Sequence, residues 1–139
     1  MRTCRATSDR GAAAVELALV LPVLLLIVMG IVDFGIAYNR QITLSGGARE
    51  GARWLSLHAT DQAGAITRTI NAGPSTPLLT ASDIAVCTGP SGGTCTANAA
   101  CAPGLVVQLV AAQPFDIDIP FGPQLSVTVK GKGVMRCGG

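Results

Sequence analysis

The spacing of apolar and polar positions changes character along the chain. Residues 11–32 read GAAAVELALVLPVLLLIVMGIV, with Glu16 the only charged residue and none from 17 to 32. A membrane-spanning helix needs roughly 20 mainly apolar residues, because each adds about 1.5 Å across a hydrocarbon core about 30 Å thick. The run meets that need, and Pro22 inside it is expected to kink the helix rather than end it. No proline falls between residues 33 and 57, so the helix can continue. A second, short helix is expected from a Thr60 or Asp61 cap to about Asn71, with Ala63, Ile66 and Ile70 on one face and Gly73-Pro74 ending it. Beyond Pro77 the period falls to two. Residues 83–87, 104–111 and 125–129 read as strands, the last extending through Gly131 and Gly133 toward Met135, with Leu125, Val127 and Val129 on one face.

The expected fold class is therefore α+β. A basic cytoplasmic leader (1–11) precedes a transmembrane helix (12–32) and a juxtamembrane helix extension (33–58). A small extracytoplasmic domain (59–139) follows, with a short helix and a three-stranded antiparallel sheet.

Charge and cysteine placement give the helix a direction. Arg2, Arg5 and Arg10 precede the apolar run, whereas Asp33 is the first charge after it, followed by Arg40 and Arg49. That bias favours a cytoplasmic N-terminus in the cytoplasmic (inner) membrane. Cys4 then falls in a reducing compartment, and Cys87, Cys95, Cys101 and Cys137 fall where disulfides persist. Four cysteines allow three connectivities. All four sit at one end of a three-strand meander, and we favour Cys87–Cys95 with Cys101–Cys137. Their spacing does not form two C-x-x-C pairs, so zinc is the poorer reading. A small head with only 4% aromatic residues in the whole chain needs such staples or a partner. The alternative is a secretory signal peptide cut after Gly35-Ile36-Ala37, before Tyr38, although the apolar run exceeds the usual 7–15 residues of such signals.

Composition removes several function classes. Hydrophobic residues make up 49% and charged residues 13%, and the net charge of +2 is too mild for a nucleic-acid binder. His58 is the single histidine and reads as a surface or helix-end residue, since no plausible nucleophile stands beside it. Catalytic function, cofactors and metal are not expected. Asp116 and Asp118 alternate as calcium ligands can, but the EF-hand glycine and distal glutamate are missing, and a twisted edge segment is the preferred reading. Gly47 and Gly51 form a G-x-x-x-G pair flanked by Ala48 and Ala52, readable as a helix-packing face or, through Gly46-Gly47, as a hinge. Trp54 and Leu57 are expected to dock the helix onto the small domain.

At the junction of basic leader and apolar helix, Gly11 is followed by Ala12, and Glu16 is the fifth residue after the glycine. This arrangement resembles a type IV prepilin signal. The resemblance implies cleavage between Gly11 and Ala12 by a membrane prepilin peptidase, then pairing of Glu16 with the new N-terminal amine of a neighbouring subunit. The alternative is that Glu16 snorkels to the cytoplasmic interface. The wider stretch is similar to the N-terminal region of TadE-like proteins, pseudopilin-type proteins of the tight-adherence (Flp) pilus machinery. The residues that carry the similarity are Ala14-Val15-Glu16, Leu21-Pro22, Gly30, Asp33-Phe34-Gly35 and Ala48-Arg49-Glu50-Gly51-Ala52-Arg53. The resemblance implies a minor, pilin-like assembly subunit whose partners are the membrane and other pilus or pseudopilin subunits. A competing class is a secreted or membrane-tethered small binding domain with no pilus role.

Overall fold

The computed structural model describes residues 8–117 and 123–138, with side chains from residue 11 onward. Arg2, Cys4, Arg5 and Asp118 lie outside the described residues, as does the side chain of Arg10. The chain divides into two units, Met1–Ile36 and Ala37–Gly139.

In the first unit the described chain is helical and belongs to α1 (Ser8–Leu57). Residues 11–32 are exposed all round, including Leu19 at 73% and Ile31 at 67%. A helix apolar on every side is stable only in apolar surroundings. By length and composition this one could cross a membrane. Pro22 is accommodated within α1 rather than ending it.

The second unit contains the rest of α1, α2 (Gln62–Ala72), a 3-10 turn at Ala81–Asp83, and strands β1 (Ile84–Gly89), β2 (Thr96–Ala97), β3 (Val106–Ile117) and β4 (Leu125–Arg136). The sheet is antiparallel with order β2-β1-β3-β4. It has four strands where the sequence pattern gave three. The additional β2 is two residues long, too short to carry a period, and is held opposite Cys87 and Thr88 beside the Cys87–Cys95 bridge. β3 is also longer than its valine-rich centre suggests, running through Pro114. Past Ala111 it has no β1 partner, and a proline is tolerated where one side of a strand is unpaired.

The register sorts the two faces of the sheet. Ile84, Ala111 and Gly131 stand in one row, and Val86, Leu109 and Gly133 in the next. All six are buried. The opposite face carries Ala85, Val110 and Lys132 and is largely open. Helix residues Leu44, Ala48, Ala52 and Leu55 complete the core with Ala65 of α2 and Leu79. Leu57, expected to dock, is 61% exposed, and Leu55 is the buried anchor. Two residues correspond to about 200° of helix, which puts Leu57 on the far side from Leu55. On α2 the buried residues are Ala65 and Thr69, with Ile66 and Ile70 partly buried and Ala63 exposed.

Candidate functional site: a helix seated by glycines

Within the second unit, α1 buries Leu44, Gly47, Ala48, Gly51, Ala52 and Leu55. Spacings of three and four place them on one stripe. Toward α2 that stripe is glycine. A Cβ on Gly47 would stand 2.8 Å from the Thr69 carbonyl oxygen and 3.2 Å from the Gly73 backbone. One on Gly51 would overlap the Thr69 hydroxyl and lie 2.8 Å from the Ala65 carbonyl oxygen. The G-x-x-x-G pair thus lets α2 of the same chain approach closely, and α1 continues unbroken past Gly46-Gly47.

Toward the sheet the glycines are on the strand. A Cβ on Gly131 would overlap the backbone of Leu44 and Ser45, and one on Gly133 the backbone of Ala48 and Arg49. The helix therefore lies directly on β4. The alternating pattern runs the strand through these two positions but gives them no purpose. Glycine at alternate positions of a strand, where one face loses its side chains, is the signal of close backbone approach that could have found them.

The end of this helix is tied down by a polar cluster. Asp61 caps α2, accepting from the Gly64 backbone N–H at 2.8 Å, and its other oxygen accepts from the Trp54 indole N–H at 2.9 Å. The Trp54 hydrogen bond is the largest influence holding the Asp61 carboxyl below its usual range; the Gly64 bond and the His58 charge also lower it, and desolvation opposes them. His58 stacks on Trp54 with ring centroids 3.9 Å apart, and the Arg68 guanidinium carbon sits 4.4 Å from the indole centroid. Trp54 docks α1 onto the start of α2 through this cluster.

At the far end of the sheet, Cys87 is bonded to Cys95 with Cα atoms 5.5 Å apart, and Cys101 to Cys137 at 5.3 Å. The first closes the β1–β2 hairpin. The second ties the loop before β3 to the end of β4, where the Cys137 N–H donates to the Leu105 carbonyl at 2.9 Å. Asp116 is exposed on the open face opposite Ser126.

Gly11, Ala12 and Glu16 lie within α1, and all three are exposed. They are in the first unit and take no part in the packing just described.

Residues 11–53 match the TadE-like protein family. The match runs from Gly11 to Arg53 and so covers the apolar segment and the glycine-bearing stripe of α1. No curated protein and no solved structure matches the chain.

Proposed function

We propose that this chain, TadE-like across residues 11–53, is a membrane-anchored pilin-like subunit of a tight-adherence pilus or secretion assembly. The family match is the observation that carries the reading. The all-round apolar surface of residues 11–32 supports an anchor role. The two disulfides support an extracytoplasmic head, because such bonds persist in oxidising compartments. The arginines before the span agree with a cytoplasmic N-terminus in the inner membrane.

On this reading a prepilin peptidase cuts between Gly11 and Ala12, and the Glu16 carboxylate pairs with the Ala12 amine of a neighbouring subunit. A carboxylate in an apolar helix is costly without a partner, and the pairing offsets that cost while setting the axial register between helices. The work of the protein is assembly, with the head contacting other pilus components. No catalytic residue, cofactor or nucleic-acid partner is assigned.

Cross-linking in the cell envelope tests this directly. Glu16→Gln keeps the side-chain volume and removes the charge, and breaking one partner of a buried ion pair costs about 3–5 kcal/mol. Cross-linked oligomers should fall by about tenfold or more, while the amount of protein in the membrane stays level. Oligomer yield equal to wild type would mean that Glu16 snorkels to the interface and pairs with nothing.

A further inference from the structure

β4 is the last strand of the sheet, so one of its edges has no neighbouring strand. It is 12 residues long, contains no proline, and pairs with β3 in an unbroken register without a bulge. Natural sheets protect an open edge by shortness, proline, a bulge or charged side chains, and only the last of these is present here. Among the described residues, no other segment makes a backbone hydrogen bond to Leu125–Arg136 from the outer side. Alternate residues along this edge therefore present N–H and C=O groups to solvent.

The charges on β4 lie on one face. Lys130, Lys132 and Arg136 are exposed on the open face of the sheet. Opposite them in β3 stand Ala112, Val110 and Val106, none of which carries charge. Asp116 is the only acid in the strands; it sits opposite Ser126, four residues or about 13 Å along β4 from Lys130. On the side facing α1, Gly131 and Gly133 lie against the helix, and Leu125 and Val127 are 54% and 44% exposed. The edge thus offers basic side chains on one face and apolar ones on the other, each at the two-residue period of a strand.

We infer that the outer edge of β4 accepts an extended segment of another protein as an added strand, with acidic side chains at alternate positions beside Lys130 and Lys132. The backbone of that segment takes up the free N–H and C=O groups, and apolar residues between its acids meet Leu125 and Val127. Opposite charges side by side on neighbouring strands favour pairing, and like charges oppose it. A second copy of the chain is the poorer occupant on that ground. Pairing β4 with β4 about Gly131 would set Lys130 against the second copy's Lys132, and parallel pairing in register would set each lysine against itself. The free end of β3 offers the single acid Asp116, together with Pro114, which has no N–H to give. The edge lies within the second unit, so the inference does not rest on membrane anchorage.

The test uses the full, detergent-solubilised chain and a fluorescent probe peptide in which glutamate alternates with valine and threonine. Binding is read by fluorescence anisotropy at low salt, and protection of β4 by amide hydrogen exchange. The peptide should bind and slow exchange at alternate residues between 125 and 136. Affinity should fall at least tenfold when lysine replaces its glutamates, and at least tenfold when its alternate amides are N-methylated. Lys130→Gln combined with Lys132→Gln should also weaken binding at least tenfold, with an unchanged thermal unfolding midpoint. Equal binding of the N-methylated peptide, or binding of dextran sulfate as tight as that of the peptide, would reduce the surface to a general anion patch and overturn the inference. No binding at millimolar peptide would overturn it as well. Dimers of the doubly substituted chain would then show that the lysines only guard a bare edge against a second copy.

Discussion

An alanine at position 46 would meet nothing within 4 Å, whereas one at position 47 would bring its Cβ to 2.8 Å from the Thr69 carbonyl oxygen. Both positions are helical, so they share the backbone benefit of replacing glycine and differ in space alone. Gly46→Ala should stabilise the head by about 0.5–1 kcal/mol. Gly47→Ala should destabilise it by about 1–3 kcal/mol, because the obstacle is backbone that cannot turn aside. Denaturant unfolding of the detergent-solubilised protein reads both, and a shift of the same sign in the two variants would contradict the seating of α1 on α2. Asp61 supplies a second residue-scale test. Its folded pKa is depressed, chiefly by the Trp54 hydrogen bond. The stability it contributes is therefore present above the unfolded value of about 3.9 and lost as pH falls through the lower folded value. Asp61→Asn should flatten part of the acid-side loss of thermal stability below about pH 4. An unchanged pH profile would mean that the bond to Trp54 contributes nothing to folding.

At the scale of elements, the helices and the three longer strands were legible from different local signals. The apolar run announced α1, a Thr60 or Asp61 cap with apolar residues on one face announced α2, the valine-rich run announced β3, and clean alternation announced β4. The two-residue β2 carries no period and depends on the closed hairpin around it. Leu57 was misassigned because hydrophobicity alone names a candidate, while the phase set by Leu44, Ala48 and Leu55 decides which side is buried. Leu125 and Val127 alternate like core residues yet are 54% and 44% exposed, and alternation alone cannot reveal how far along a strand the burial extends. The disulfides staple these elements unequally. The Cys101–Cys137 bridge spans a sequence separation of 36, and Cys87–Cys95 one of 8. Chain-entropy reasoning assigns them about 4 and about 2.5 kcal/mol. Replacing Cys101 and Cys137 together by serine should therefore destabilise the head more than replacing Cys87 and Cys95, as read by thermal unfolding. The reverse order would show that the loops are already ordered in the unfolded chain.

For the whole molecule, one continuous helix serves two units by different chemistry. Over residues 11–32 it is exposed and, Glu16 apart, apolar on all sides; in the second unit its Gly47, Ala48, Gly51 and Ala52 let the sheet and α2 approach closely. The sequence disclosed the first role through composition, and the second only in part, because Gly47 and Gly51 read equally as a hinge until their partners in α2 were known. Glu16 stands apart from both roles, and the pairing proposed for it is with a neighbouring subunit rather than within the chain. The most direct measurement of the anchored, pilin-like account is the N-terminal sequence of the mature protein recovered from membranes. The account predicts a chain beginning at Ala12, with Gly11→Val leaving the leader uncut because a branched side chain will not fit a site built for glycine. A mature chain beginning at Tyr38 would contradict it, since that cut removes the apolar segment and releases the head.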